Sequence, residues 1–457
     1  GPTLITAPWL FEELWQIAGE EMSDHVKLVP TDPFYRIRWD DGRFFEYTGD
    51  AARMRAEIRD LAPGDLEGYE RFLEHSERIF HIGFSELAHA PFGSARDMAR
   101  IVPDMMRLEN FRSVYGLVSK YVKDERLRQV LSFHPLLVGG NPLSTSSIYA
   151  LIAYLERTWG VWFAMGGTGE VVRGLAALIE RLGGKLRLGV EVDEILVERG
   201  RARGVRLEPA ASGAAELIPA DLVVSNADSA WTYRHLVRPE HRRVWTDLRL
   251  DHLTRYSMGL FVWYFGTSRR YEDVAHHTIL LGPRYEGLLR DIFDRKVLSD
   301  DFSLYLHRPT ATDPSMAPEG CDAFYVLSPV PHLGSGTRWE EERERYRASL
   351  ERYIESAVLS GLSKHIVSSR TLDPQDFLVD YLSFRGAGFG MEPVLHQSAY
   401  FRPHNASEEV RGLYLVGAGT HPGAGMPGVL SSARVLDTVV PDPERLESAP
   451  RQFPAGP

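Results

Sequence analysis

Residues 413–433 read LYLVGAGTHPGAGMPGVLSSA. The apolar run from Leu413 to Val416 predicts a buried strand. It enters a loop carrying five glycines, and a helix of small residues follows from near Gly428. Glycine lets a backbone approach a ligand closely and present bare N–H groups. A helix N-terminus adds partial positive charge. Strand, glycine loop and helix together suit an anionic or carbonyl-bearing cofactor edge. Gly423, Gly425 and Gly428 also match the spacing Gly-x-Gly-x-x-Gly. That match is not a Rossmann fingerprint: it does not directly follow the strand, and no acidic residue closes a second strand downstream.

Upstream of the loop, residues 392–402 (EPVLHQSAYFR) lead into the strand, and a charged helix is predicted at about 339–359. Strand runs are predicted at 257–265, 278–281, 302–307 and 323–328, with turns at 314–321. They suggest a mostly antiparallel sheet. Gly166-Gly167-Thr168-Gly169 precedes a helix whose apolar positions Val171, Val172, Leu175, Leu178, Ile179 and Leu182 form one face. Gly183-Gly184 ends it. Strands are expected at 185–198 and 203–208, then the run 222–224. Residues 50–165 read as mostly helical, for example 65–82 and 101–122, punctuated by Pro91, Pro103 and Pro135. Residues 34–47 alternate around Asp41-Gly42, a hairpin signal.

The chain has 457 residues, ample for two or three domains, and a formal net charge of −11. An acidic total argues against a nucleic-acid partner, which needs a basic stripe. The lone Cys321 rules out an intrachain disulfide framework and a multi-cysteine metal site, and suits a reducing, cytoplasmic compartment. No run reaches the ~18 apolar residues of a membrane-spanning helix, so membrane contact is expected to be peripheral. His276-His277 has no partner at metal-ligand spacing on a helix, so no metal is expected. Gly-x-Ser-x-Gly does not occur, which counts against a hydrolase.

Several blocks now carry a resemblance: Gly1-Pro2-Thr3, Phe133 to Pro142, Trp159 to Phe163 with Gly166 to Gly169, and Ser225 to Asp228. The others are Ala275 to Thr278, Phe302 to His307, Met316 to Gly320, Gln397 to Asn405, and the glycine loop. In this order, over nearly the whole length, the chain resembles bacterial-type phytoene desaturases. The resemblance implies a mixed α/β (α+β) fold similar to FAD-dependent amine oxidases. It has a Rossmann-type FAD domain, an antiparallel-sheet substrate domain and a helical cap that meets the membrane. The corresponding divisions are 1–50, 51–165 (cap), 166–250 (FAD), 251–402 (substrate), 403–440 (FAD) and a tail at 441–457. In that family Gly-x-Gly-x-x-Gly sits in a first strand–turn–helix, followed by an acidic residue for the adenosine ribose. This sequence begins at the Gly-Pro-Thr that comes after them, so a unit of about 30 residues is expected upstream.

The resemblance places Gly1, Pro2 and Thr3 beside the flavin, and Val192 at the adenine. Asn226, Ala227 and Asp228 should border the cofactor. Gly417, Ala418, Gly419 and Thr420 should approach the pyrophosphate and ribityl chain. Met426, Pro427, Gly428 and Val429 should offer N–H groups to the pyrimidine side of the ring. The implied activity is desaturation of lipid-dissolved phytoene at the inner face of the cell membrane, giving neurosporene- or lycopene-type products, with oxygen or quinone as acceptor. Another carotenoid or polyene substrate, and a flavin-free non-catalytic fragment, stay open as alternatives. The cofactor performs the hydride transfer, and a base for the second proton would help. Glu392 and Asp97 are the candidates. Between residues 81 and 122, Phe84, Leu87, Phe92, Ile101, Met105, Met106 and Leu108 alternate with Arg96, Arg100 and Arg107. A basic amphipathic helix of this kind can lie on a bilayer.

Overall fold

The computed structural model describes residues 3–208 and 215–442. Gly1, Pro2 and the tail from 443 onward lie outside them. The strands, in chain order, are β1 (Leu28–Pro30), β2 (Tyr35–Trp39), β3 (Phe44–Tyr47), β4 (Trp162–Ala164), β5 (Val192–Glu198), β6 (Arg201–Leu207) and β7 (Glu216–Pro219). They continue with β8 (Val223–Ser225), β9 (Gly259–Thr267), β10 (His277–Leu281), β11 (Leu304–His307), β12 (Asp322–Val330), β13 (Ile366–Leu372) and β14 (Leu413–Leu415).

Seven of these build the main sheet in the order β13-β9-β12-β11-β10-β2-β3. Its pairs are antiparallel except β10 with β2, where Thr278 lies beside Arg36. The hairpin β2–β3 turns at Asp41-Gly42 as its alternation predicts, and Gly42 takes φ 86°. β9 is apolar almost throughout because both of its faces are covered. Phe261, Trp263 and Phe265 pack with Trp339, Tyr346, Leu350 and Ile354 of the helix Trp339–Ala357. Leu260 and Val262 join the cluster that includes the helical region's Phe72, Leu117 and Leu131. Each such side chain contributes roughly 1.5–3 kcal/mol on burial.

The helical region is more broken than its periodicity predicts. The expected helix at 101–122 is two helices, Ala95–Arg107 and Val114–Tyr121. Glu109 between them adopts φ 55°, and the Ser113 hydroxyl accepts from Gly116 N–H to start the second. Another difference lies at 185–198, where only β5 from Val192 onward is strand. Residues 185–190 alternate like a strand but have no ladder partner among the described residues, and Leu188 stays 89% exposed. Pairing, not propensity, decides strand formation there.

β5, β6 and β7 form a three-stranded antiparallel sheet, and β8 pairs with β14 in parallel. Among the described residues no helix is long and apolar enough to cross a membrane.

Candidate functional site

The parallel register sets Leu413 beside Val223 and Leu415 beside Ser225. Both strands therefore end on the same side, where ligands bind in open α/β sheets. Asn226 to Asp228 leave β8 there, and Gly417 to Thr420 leave β14. Two segments almost 200 residues apart become neighbours. Val416 N–H donates to Ser225 O (3.0 Å), and Ser229 Oγ donates to Gly419 O (3.1 Å). Gly417 N–H donates to Ser432 Oγ (2.8 Å), tying the loop to the helix Met426–Val439.

Side chains have no room at Gly417, at Gly419 (where a methyl would sit 2.4 Å from Ser229 Oγ) or at Gly428 in the first turn of the helix. Gly417 takes φ 95°, and a methyl there would sit 2.4 Å from Asn226 Oδ1. At Gly428 it would sit 2.6 Å from Gly423 O. The helix N-terminus corrects one expectation. Pro427 has no N–H to offer, and Val429 N–H is already bonded to Gly425 O (2.9 Å). Of the four residues expected to donate to a ligand, only Met426 and Gly428 keep an N–H for that purpose.

Asp228 caps the short helix Ser229–Trp231, its Oδ1 accepting from Ala230 N–H (2.8 Å) and Trp231 N–H (3.0 Å). Burial pushes its carboxyl up to about 6, against the pull of those hydrogen bonds. A methyl on Gly390 would lie 3.2 Å from Asp228 Oδ2, so the segment leading to Glu392 passes beside it. Val192 opens β5 opposite Leu207.

Thr3 lies against the main sheet. Its hydroxyl shares hydrogen bonds with Tyr325 OH (2.5 Å) and Tyr305 OH (3.2 Å). Ile5 bridges to Trp162, and the cluster containing Ile5, Phe11 and Trp15 reaches Met426 and Leu430. The N-terminal segment thus spans from the sheet to the helix behind the glycine loop.

The two proposed bases fare differently. Glu392 is 1% exposed, bonded to Arg255 Nε (2.8 Å) and Ser144 Oγ (3.3 Å). Burial raises its carboxyl above the ordinary range, while Arg255 opposes the rise. Asp97 is committed to its own helix. It forms a capping box with Ser94, accepting from Ser94 N–H (2.9 Å) while Ser94 Oγ accepts from Asp97 N–H (3.3 Å). A carboxylate holding a helix N-terminus is structural, and Asp97 is used in that way rather than as a base.

Sequence spacing missed two features. His276 and His277 gain a third neighbour, His307, because β10 and β11 pair His277 with His307. Ligand atoms of the three lie within 4.8 Å of one another, a geometry that helical spacing does not reveal. His276 Nε2 and His307 Nε2 already share a hydrogen bond (3.0 Å), and His277 Nδ1 meets Tyr305 OH (2.7 Å). Burial lowers all three imidazoles, His276 to about 4, so all three stay neutral. They bring no negative charge to offset a buried dication, and nearby Arg308 adds positive charge. The second feature is Arg402, within the predicted 392–402 segment, whose guanidinium donates to Met391 O (3.0 Å) and Ala418 O (3.1 Å) under the loop. An arginine between Phe401 and Pro403 gave no sequence signal of that position.

A phosphate-bearing flavin cofactor fits this chemistry: a glycine cradle that a Cβ would fill, converging strand ends and a helix N-terminus.

Comparison with known proteins bears on this site in three ways: a family, two relatives and two solved structures. The profile described as flavin containing amine oxidoreductase matches residues 1–435. The phytoene desaturase (neurosporene-forming) of Rhodobacter capsulatus is 46% identical over 454 residues, covering 98% of this chain and 86% of that protein. The phytoene desaturase (lycopene-forming) of Pseudescherichia vulneris is 47% identical over 443 residues, covering 96% and 88%. Among solved structures, cyclohexylamine oxidase from Brevibacterium oxydans superposes with TM-score 0.53 at 14% identity, over 96% of this chain and 87% of that one. Putrescine oxidase gives TM-score 0.55 at 11% identity, over 96% and 88%. At these identities the two oxidases inform the fold alone.

Proposed function

We infer the function from one premise: this chain belongs to the flavin-containing amine oxidoreductase family and is an FAD-dependent oxidoreductase of the carotenoid-desaturase branch. Its reaction is the desaturation of phytoene. The observation that carries this is the near-full-length identity of 45–47% to neurosporene- and lycopene-forming desaturases.

Bound FAD supplies the two-electron acceptor for hydrogen leaving carbon. The chain's own residues do the rest. Gly417 to Thr420, facing Asn226 to Asp228, hold the phosphate-bearing part, with Val192 toward the adenine. Met426 and Gly428 offer N–H groups to the ring's pyrimidine side. Thr3, fixed by Tyr305 and Tyr325, borders the ring from the main sheet. Glu392 is the proton acceptor: burial raises its affinity for a proton, and Arg255 keeps it from being held permanently.

The cap meets the lipid in which the polyene dissolves, at the inner face of the cell membrane. In support, the helix Ala95–Arg107 carries no buried residue and exposes Val102 and Met106, with Phe111 just beyond. Arg96, Arg100 and Arg107 suit anionic headgroups. The reading takes oxygen or a quinone as the terminal acceptor.

The test is to add FAD to the purified chain and supply phytoene in liposomes. Products with added conjugated double bonds, formed only with FAD, are expected. Flavin binding with oxidation of an amine instead, and an untouched phytoene pool, would overturn the substrate assignment.

A further inference from the structure

Arg402 is 1% exposed. Its Nη2 serves two carbonyls, Met391 O and Ala418 O. Its Nε and Nη1 have no hydrogen-bond partner among the described residues. The Asp228 carboxylate and the Tyr149 phenol are near enough to favour its charge, yet neither pairs with it directly. The glycine loop crosses the guanidinium: a methyl on Gly423 would sit 3.5 Å from Nη1. Burial lowers its proton affinity, but a guanidinium stays charged in proteins. The result is a cation sealed beneath a loop of bare backbone, without a contact anion.

A buried charge in that condition is expensive unless something nearby compensates it. In a low-dielectric interior its field reaches across the loop. The strand end, the glycine loop and the first turn of Met426–Val439 all lie on that route.

We propose that Arg402 makes the outer side of the glycine loop an anion site, acting through the Ala418 carbonyl and the loop backbone, and that the anion is the pyrimidine edge of the flavin. This rests on the flavoenzyme reading above. That edge gains negative charge when the ring accepts two electrons, so a cation behind the loop favours the two-electron-reduced form. Arg402 is a positioning residue in this role. Nη2 holds Ala418 O at one end of the loop, and Nη1 lies under Gly423, whose carbonyl is 2.6 Å from where a methyl on Gly428 would stand, so the charge also reaches the first turn of Met426–Val439.

The test measures the two-electron midpoint potential and the FAD affinity of the holoenzyme at pH 8, for the parent, Arg402→Lys and Arg402→Met. Arg402→Met should hold the reduced flavin about tenfold less tightly relative to the oxidised one, a drop of about 30 mV. Arg402→Lys should recover most of it, since a lost packing contact would not be restored by a different shape carrying the same charge. A folded Arg402→Met with unchanged potential overturns the proposal. Weaker binding of both FAD and ADP at unchanged potential moves the charge to the pyrophosphate and also overturns it. If Arg402→Met fails to fold, Asp228→Asn carries the test. Removing the negative charge that opposes Arg402 should raise the potential, and no rise overturns the proposal. A parent protein that takes up no flavin at all defeats the flavoenzyme reading instead.

Discussion

The main sheet and the glycine-loop end use their residues in opposite ways. β9 and the helix Trp339–Ala357 close on each other with large side chains: Phe261, Trp263, Tyr346, Leu350 and Ile354 are all 2% exposed or less. Their polar atoms are largely satisfied, as where Trp263 Nε1 donates to Ser369 Oγ (2.8 Å) and Ser328 Oγ bonds Tyr346 OH (2.7 Å). The loop end contains little but backbone, small residues and charge. Asp228 is pushed up by burial, Arg402 is left with unpartnered N–H groups, and glycines stand where any side chain would collide. One region gains stability from filled space; the other holds space and charge ready for a ligand. Stability and function are therefore expected to separate on mutation.

The sharpest break of that contrast is Trp263→Ala. It empties the centre of the sheet and should cost about 3–5 kcal/mol, read as a lower denaturant midpoint, whether or not FAD is present. Next comes Gly417→Ala, which forces a side chain into φ 95° and against Asn226 Oδ1. The strained backbone should cost roughly 1–3 kcal/mol, and titration with FAD should show binding weakened at least tenfold. Equal FAD affinity in this variant would deny the loop its role.

A pH series sharpens the comparison from the other side. Asp228 keeps its proton in the folded state up to about 6, whereas the unfolded group loses it near 3.8. The folded state thus binds more protons between those values. The Asp228 contribution to stability is greatest below about 3.8 and falls as pH rises to about 6, with a slope of at most ~1.4 kcal/mol per pH unit. Asp228→Asn should remove that slope from the pH dependence of thermal unfolding; an identical slope in the variant would contradict the assignment. The smallest effect is expected at Asp97→Ala. Loss of the cap should destabilise the helix Ala95–Arg107 by about 1 kcal/mol while turnover at saturating phytoene stays unchanged. A large loss of turnover would return Asp97 to the chemistry.

Local pattern foretold the parts whose partners lie close in sequence. The hairpin at Asp41-Gly42 formed because a two-strand turn needs only its own residues. The strand, loop and helix at 413–439 were legible for the same reason. At 185–190 the strand pattern is present, but among the described residues it joins no ladder. Glu392 stood out as a lone acid near the loop, but not its partner Arg255, which lies 137 positions away. Asp97 is a candidate base by residue type, and the fold commits it to a capping box with Ser94.

By itself, the sequence determined the family, the glycine loop and the main strand runs, because these depend on residue type and short spacing. Only the tertiary structure decided which distant segments share a site. The β8–β14 pairing brought Asn226–Asp228 to Gly417–Thr420, the β10–β11 pairing brought His307 to His277, and the fold buried Arg402 beneath a loop with no anion in contact. Burial and desolvation set the charge behaviour of Asp228, Glu392 and Arg402, and neither exists until the chain has folded around them.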